Sequence, residues 1–209
     1  MSKAVFSITA NQQNLLAICA VSSYDKRNNV LGGEAMKEYI NVWDYAPQML
    51  SILNDGVLLT TKSGEEVDTM TIGWGHLGVE WKKPIFVVYV SQSRHIKSLL
   101  DQNPEFTVNF PRGDVDKKIL GICGTKSGRD MDKIKELNLT LVPGDTVSVP
   151  AIKELPLTLE CKVLYQQDQD LSCLCEESRN RFYAPGTRDE NDFHTAYYGE
   201  ITAAYIVKD

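Results

Sequence analysis

Met70-Thr71-Ile72-Gly73-Trp74-Gly75-His76-Leu77-Gly78 is the stretch that decides the fold of this chain. It begins as a β-branched run typical of a strand and ends in three glycines around a tryptophan. Bare backbone beside an indole ring lets another molecule approach the chain closely. The spacing Gly73-x-Gly75-x-x-Gly78 also matches the letters of a dinucleotide-binding fingerprint, which requires a helix to begin at its third glycine. The residues after Gly78 therefore decide between two folds.

Those residues exclude the dinucleotide-binding fold. Residues 79–83 lead directly into Pro84, which leaves no room for a helix. Residues 85–90 form a continuous β-branched and aromatic run that predicts another strand. This strand is followed by Ser91-Gln92-Ser93-Arg94-His95, which contains two hydroxyls and a cation. Two strand ends that offer bare backbone, an aromatic ring and a cation favour a phosphorylated aromatic ligand.

Composition narrows the class of protein. The chain has 209 residues, enough for one domain with a sizeable core. Its formal charge of −6 argues against nucleic-acid binding, which depends on Lys and Arg. Its five cysteines are odd in number and lack paired metal-ligand spacing, as is typical of a reducing compartment. No run approaches the roughly 20 apolar residues that cross a bilayer. We expect a cytoplasmic protein that binds neither nucleic acid nor membrane, with export as a minor alternative because residues 15–21 form a short apolar run.

The pattern of apolar residues predicts a mainly β domain with short helices. Short connections between the strands indicate antiparallel pairing, as in a barrel or sandwich with helical inserts. Residues 1–35 have no clear period and are predicted to be an N-terminal appendage to a domain at residues 36–209. Strands are predicted at 56–61, 67–74, 85–90, 106–110, 155–165 and 196–207, and helices at 46–54, 93–102, 114–122 and 129–137.

Two cationic turns precede predicted helices. In the first turn, Ser93 is either a helix N-cap or part of an anion site completed by Ser91 and Arg94. The second turn spans residues 123–130 and is not a phosphate-binding P-loop of the Walker type, because a threonine precedes its Lys-Ser pair. It is predicted to connect two helices, with Gly124 just after the end of the first.

The second turn adds further positive charge. Arg129 and Lys133 are four residues apart and are predicted to share one face of the following helix. Two such turns in an acidic chain favour an anionic ligand.

Other candidate residues remain ambiguous. The three histidines are far apart and lack metal-binding spacing, so no metal site is expected. Trp74 and Trp81 suit either core packing or ligand stacking. Cys173 and Cys175 are separated by one residue rather than the two of the usual dithiol motif, which favours structural or merely reactive thiols over a catalytic pair.

Taken in order, these elements resemble the flavin reductase-like family, the FMN-binding split barrels that include flavoredoxin. The resemblance covers residues 38–207 and rests on Thr69-Met70-Thr71-Ile72-Gly73-Trp74-Gly75, Gly78-Val79-Glu80-Trp81-Lys82-Lys83-Pro84, Tyr89-Val90-Ser91-Gln92-Ser93-Arg94, Phe106-Thr107-Val108-Asn109-Phe110, residues 123–133 and His194-Thr195-Ala196-Tyr197-Tyr198-Gly199-Glu200-Ile201. The chain departs from the family at Asp68, where many relatives have Asn, and at His95-Ile96, where they have Tyr-Thr.

The resemblance implies a Greek-key split β-barrel that forms a homodimer and holds FMN at or near the subunit interface. It places the flavin and ribityl chain against Met70, Thr71, Ile72, Gly73 and Trp74, the phosphate against Ser91, Ser93 and Arg94, and the rest of the pocket against Gly124, Ser127, Gly128, Arg129, Asp130 and Lys133. His194 and Tyr197 would border the flavin face that an electron donor approaches.

The activity implied is that of an FMN-dependent oxidoreductase of the flavin reductase or flavoredoxin type. Electrons would pass from a small-molecule or small-protein donor, a reduced nicotinamide or a ferredoxin-like protein, through the bound flavin. The alternative is a flavin-binding protein for storage or sensing that catalyses no reaction.

Overall fold

The computed structural model describes residues 36–208, so the predicted appendage at residues 1–35 lies outside the described residues. The strands are β1 Lys37–Tyr39, β2 Val57–Ser63, β3 Glu66–Ile72, β4 Gly75–Glu80, β5 Lys83–Ser91, β6 Glu105–Phe110, β7 Leu141–Val142, β8 Ala151–Ile152, β9 Leu157–Asp168 and β10 His194–Val207. The α-helices are α1 Val42–Leu53, α2 His95–Gln102, α3 Lys117–Thr125, α4 Lys133–Glu136 and α5 Glu176–Phe182. None of these helices is long and apolar enough to cross a membrane.

One antiparallel sheet dominates the described domain. Its strands follow the order β3-β2-β6-β9-β10-β5-β4, and β1 pairs with β10 beside this path. Strand β10 joins the two parts of the sheet because it pairs with β9 on one side and β5 on the other. The buried core contains Phe86 from β5 and Phe106 and Phe110 from β6. The predicted mainly β fold with short helices is confirmed.

Strand β4 was not predicted, because its glycines weaken the strand pattern. It forms a hairpin with β5 through a two-residue turn at Trp81 and Lys82, which have φ values of 51° and 61°. Gly75 pairs with Val88, and a Cβ at Gly75 would lie 3.0 Å from the carbonyl oxygen of Val87. The glycine-rich segment thus forms the edge strand β4, which packs tightly against β5.

Helix boundaries differ from the predicted ones where polar side chains cap the helices. Helix α1 begins four residues early, because the Asn41 side chain accepts a hydrogen bond from the backbone N–H of Trp43 at 3.1 Å. Helix α4 (Lys133–Glu136) begins at Lys133 rather than at residue 129, because the Asp132 side chain accepts a hydrogen bond from the backbone N–H of Lys135 at 3.0 Å. Helix α5 was not predicted, since its sequence lacks an apolar period.

Candidate functional site

A cleft of about 660 Å³ opens beside the ends of β3 and β5. Its volume lies in the range of small-molecule and cofactor sites. The connection between α3 and α4 and the segment before β10 complete its walls. The structure brings together in this cleft all fourteen residues predicted to bind the cofactor: Met70, Thr71, Ile72, Gly73, Trp74, Ser91, Ser93, Arg94, Gly124, Ser127, Gly128, Arg129, Asp130 and Lys133. Their individual roles stay predictions.

Aromatic rings form one side of the cleft. The Trp74 side chain follows β3 and remains 38% exposed, so it presents a free surface to a ligand. The Phe182 ring meets it edge-on at a centroid distance of 5.2 Å, and the His194 ring lies 5.0 Å away at a tilt of 44°. These contacts hold the indole in place, as a stacking surface requires.

His194 is buried beside this ring between two hydroxyl groups. Its Nε2 lies 2.9 Å from Oγ of Ser91, and its Nδ1 lies 2.9 Å from the hydroxyl of Tyr183. Burial lowers the pKa of His194, although the nearby carboxylates of Asp189 and Asp192 act in the opposite direction. The imidazole is therefore neutral at neutral pH, and both of its nitrogens are engaged within the protein.

The opposite side of the cleft is rich in positive charge. Six basic and three acidic side chains line the cleft, in a chain whose formal charge is −6. Arg129 donates to the carbonyl oxygen of Ser93 at 2.9 Å, and Arg188 donates to that of Gly124 at 2.7 Å. Neither guanidinium forms an ion pair with a carboxylate within residues 36–208. Their charges are oriented but not neutralised, which suits an anionic ligand.

The other two predicted cations are already paired. Arg94 binds Asp189 at 2.7 Å, and Lys133 binds Asp68 at 3.0 Å in the buried floor of the cleft. The backbone of Gly128 packs directly against Asp68. A side chain would not fit at this position, because its Cβ would lie 2.2 Å from Oδ2 of Asp68.

The structure excludes one of the two alternatives for the first turn and contradicts two predictions about the second. Ser93 is not an N-cap; it instead donates from its backbone N–H to Oδ1 of Asp192 at 3.0 Å, and α2 begins at His95. Gly124 lies inside α3 rather than after its end. Arg129 and Lys133 do not share a helical face, because α4 begins only at Lys133.

Tyr197 does not line the cleft, contrary to prediction. Its side chain is 0% exposed in the core, and its hydroxyl donates to Asp101. Successive residues of a strand point to opposite faces, so His194 and Tyr197, three positions apart in β10, cannot face the same side. The glycine that follows them, Gly199, accommodates a core ring: a Cβ there would lie 2.4 Å from Cζ of Phe106.

The segment between β9 and β10, residues 169–193, supplies site residues that the sequence did not reveal. Arg181, Phe182, Arg188 and Asp189 line the cleft. Their positions follow from the pairing of β10 with β5, in which His194 lies opposite Ser91. Residues just before β10 must therefore lie beside residues just after β5. Knowledge of this strand pairing would have identified them.

Residues 36–208 contain no group of three or more His, Cys, Asp or Glu side chains that could hold a metal ion. The site is defined by rings, glycine backbone and guanidinium groups.

The chain matches a known family model and the sequence of a known protein. The family model described as a flavin reductase like domain matches residues 49–209. An uncharacterized protein of Archaeoglobus fulgidus is 31% identical over 128 residues, which are 61% of this chain and 67% of that protein.

Solved structures have the same fold. The flavoredoxin of Methanosarcina acetivorans matches with a TM-score of 0.55 and 27% identity, over 72% of this chain and 67% of that one. The FMN-binding domain of a flavin reductases-like enzyme from Shewanella baltica matches with a TM-score of 0.56 and 13% identity, over 84% and 80% of the two chains. These matches confirm the predicted split-barrel fold.

Proposed function

The chain belongs to the flavin reductase-like domain family, and on that premise we propose that it binds FMN and passes electrons through it. The observation that carries this proposal is the pair of un-neutralised guanidinium groups, Arg129 and Arg188, in the same cleft as the half-exposed indole of Trp74. FMN combines a flat aromatic ring system with a phosphate that is largely dianionic at neutral pH. The relative from Shewanella baltica is itself described as FMN-binding.

The residues present fit this cofactor. Arg129 and Arg188 would hold the phosphate, aided by the hydroxyls of Ser93 and Ser127. The backbone of residues 70–73 and the indole of Trp74 would lie along the ring system. When bound, FMN supplies the hydride or electron acceptor, and the protein supplies position and electrostatics.

His194 would position the donor rather than exchange protons with it. Both ring nitrogens already have hydroxyl partners, and the lowered pKa keeps the ring neutral. Its contact with the Trp74 ring places it at the aromatic side of the cleft, where the flavin would lie.

Flavin titration of the purified apoprotein tests the binding step. Because a charge-assisted contact to phosphate is worth about 1.5–3 kcal/mol, FMN should bind about tenfold to a hundredfold more tightly than riboflavin. Quenching of flavin fluorescence measures both affinities. Equal affinities would contradict a phosphate site in the cleft.

Anaerobic reduction tests the catalytic step and separates the two functions. Reduced nicotinamides and a reduced ferredoxin are added in turn to the FMN complex while the visible absorbance is followed. Rapid bleaching by one of them identifies the donor and supports an oxidoreductase. Retention of oxidised flavin with every donor would instead indicate a storage or sensing protein.

We also propose that the protein is a homodimer. Trp81 in the β4–β5 turn, Tyr165 on β9 and Tyr198 on β10 are here called the aromatic face, and their ring centroids are 5.3–6.4 Å apart. Trp81 is 51% and Tyr165 44% exposed, and the apolar side chains of Val79 and Leu164 are exposed beside them. Protein interfaces are enriched in aromatic residues, so a second copy of the chain would cover this face.

A further inference from the structure

Two thiols are exposed on the segment before β10, outside the flavin site proposed above. Cys173 ends a short 3₁₀ turn and Cys175 immediately precedes α5. Leu174 between them has an extended backbone, with φ −80° and ψ 138°. By contrast, Cys123 and Cys161 are buried.

The backbone geometry allows the two thiols to form a bond. Two residues in extended conformation span about 7 Å, close to the upper limit of the Cα separation in disulfides. A small bend at Leu174 brings the pair within that limit. Both residues lie in a surface segment without sheet pairing, so such a bend breaks no strand hydrogen bonds.

The surroundings of the two thiols differ. Sγ of Cys175 lies 3.3 Å from the hydroxyl of Ser178, and this contact, a backbone hydrogen bond and the Arg179 charge lower the pKa of Cys175. Cys173 donates to the carboxylate of Asp170 at 3.5 Å. A carboxylate repels a thiolate, whereas a hydroxyl stabilises one. Cys175 is therefore the better nucleophile of the pair.

We propose that Cys173 and Cys175 form a thiol–disulfide exchange site for an accessible disulfide bond, in which Cys175 attacks and Cys173 resolves. The buried cysteines serve as internal controls, because burial raises the pKa of Cys123 to about 11 and also raises that of Cys161 well above its usual value.

The reaction balances without an added redox agent. The Cys175 thiolate attacks one sulfur of the substrate disulfide, forms a mixed disulfide and releases the first substrate thiolate, which takes up a proton. The thiolate of Cys173 then attacks Sγ of Cys175, releases the second substrate thiolate and closes an intramolecular disulfide. Two protein thiols are oxidised as one disulfide is reduced to two thiols. A dithiol reductant then reduces the Cys173–Cys175 bond, restores the two protein thiols and is itself oxidised to a disulfide.

Oxidised glutathione provides the test on the full chain carrying Cys19→Ser, which removes the cysteine outside the described residues. The parent protein should form an intramolecular bond and lose two hydrogens in mass without retaining glutathione. Cys173→Ser should accumulate a stable glutathione adduct on Cys175, located by peptide mapping. Cys175→Ser should lose the reaction. Cys173 and Cys175 are exposed, so their replacement by serine should leave folding intact.

A further variant tests the assigned order of attack. Ser178→Ala removes the hydroxyl beside Cys175 and should slow adduct formation in the Cys173→Ser background. The matched control is Ser172→Ala, whose hydroxyl lies on Asp170 at 2.6 Å rather than beside Cys175. A stable adduct on the parent protein, or attack first at Cys173, would overturn the proposal.

The rates of two parallel reactions show whether the substrate disulfide belongs to a small molecule or to a protein. Oxidised glutathione represents small molecules, and insulin represents protein disulfides. A faster second-order rate constant in one reaction assigns the class of substrate. Failure of the reduced pair to react with either disulfide would overturn the proposal, whereas FMN binding would be unaffected because Cys173 and Cys175 do not line the flavin cleft.

Discussion

Nζ of Lys133 lies 3.0 Å from Oδ1 of Asp68, with both side chains more than nine-tenths buried beneath the cleft. The resemblance to the flavin reductase-like family implies Asn at this position, where this chain has Asp68. The additional negative charge is neutralised by the lysine, so neither group contributes net charge to the binding surface. The positive charge that could attract a phosphate is therefore that of Arg129 and Arg188, which line the cleft.

Loss of this ion pair should destabilise the fold. Lys133→Met leaves the Asp68 carboxylate buried without its cation and should lower the free energy of unfolding by about 3–5 kcal/mol. The double variant Lys133→Met/Asp68→Asn should recover most of the lost free energy of unfolding, because no unpaired charge is then buried. Denaturant unfolding of the apoprotein measures both changes, with Lys135→Met, at an exposed position of the same helix, as the control. A loss below about 1 kcal/mol in Lys133→Met, typical of surface pairs, would contradict the buried arrangement.

Removal of either un-neutralised guanidinium should weaken binding of FMN but not of riboflavin. Arg129→Ala and Arg188→Ala each remove a charge-assisted contact, so FMN affinity should fall about tenfold or more. Fluorescence titration of both flavins gives the comparison. Arg112→Ala, which removes an exposed guanidinium over the Tyr45 ring and outside the cleft, should change neither affinity. An equal loss for the two flavins would place these arginines away from the phosphate.

Substitution of His194 should separate electron entry from cofactor binding. His194→Ala should slow reduction of bound FMN by the donor and leave FMN affinity nearly unchanged, because the ring nitrogens contact Ser91 and Tyr183 rather than Arg129 or Arg188, the proposed phosphate ligands. Stopped-flow bleaching of the flavin and fluorescence titration measure the two quantities. Tyr197→Phe should change neither, because that side chain lies in the core. Release of flavin from His194→Ala with a normal reduction rate would contradict this assignment.

The same histidine should make the stability of the apoprotein depend on pH. Its pKa is lowered by burial, so between the unfolded value near 6.5 and the folded value the unfolded chain binds the additional proton. The free energy of unfolding should therefore decrease as the pH falls from above 6.5 to the folded pKa. His194→Gln keeps hydrogen-bonding capacity but cannot titrate, so the difference from the parent protein should shrink in acid. A pH-independent difference would exclude His194 as the cause.

Substitution of the aromatic face should give monomers. Trp81→Glu places a carboxylate among the exposed rings. A second copy of the chain could cover this face only by removing water from that charge, which is energetically costly. Light scattering should give twice the 23.4 kDa chain mass for the parent protein and a single chain mass for the variant. Trp43→Glu alters another exposed tryptophan, on α1, and should remain dimeric. A monomeric parent protein at micromolar concentration would contradict the dimer.

Local sequence predicts the central strands of this fold but not the contacts between distant segments. The β-branched run of β5 and the hairpin of β2 and β3 follow directly from strand patterns. The fourteen cleft residues were predicted from the resemblance to the flavin reductase-like family, to which the glycines and cations of two strand ends and of the turn at residues 123–130 contribute. The role of residues 169–193 follows from strand pairing over a long sequence separation, which no local pattern records.

Helix ends were harder to predict for a different reason. Asn41 and Asp132 each cap a backbone N–H, and such side-chain contacts move a boundary by several residues without altering the apolar pattern. The error at Tyr197 was avoidable, since strand alternation alone separates it from His194.

The central position of β10 also constrains how the chain folds during synthesis. This strand lies between β9 and β5, so the β4–β5 hairpin cannot join the rest of the sheet until residues 194–207 have left the ribosome. Until then β5 and β9 each lack a partner on one side, and their apolar edges need protection from other chains. We therefore expect closure of the barrel to be a late event after translation of β10, with slow kinetics set by pairing between distant strands.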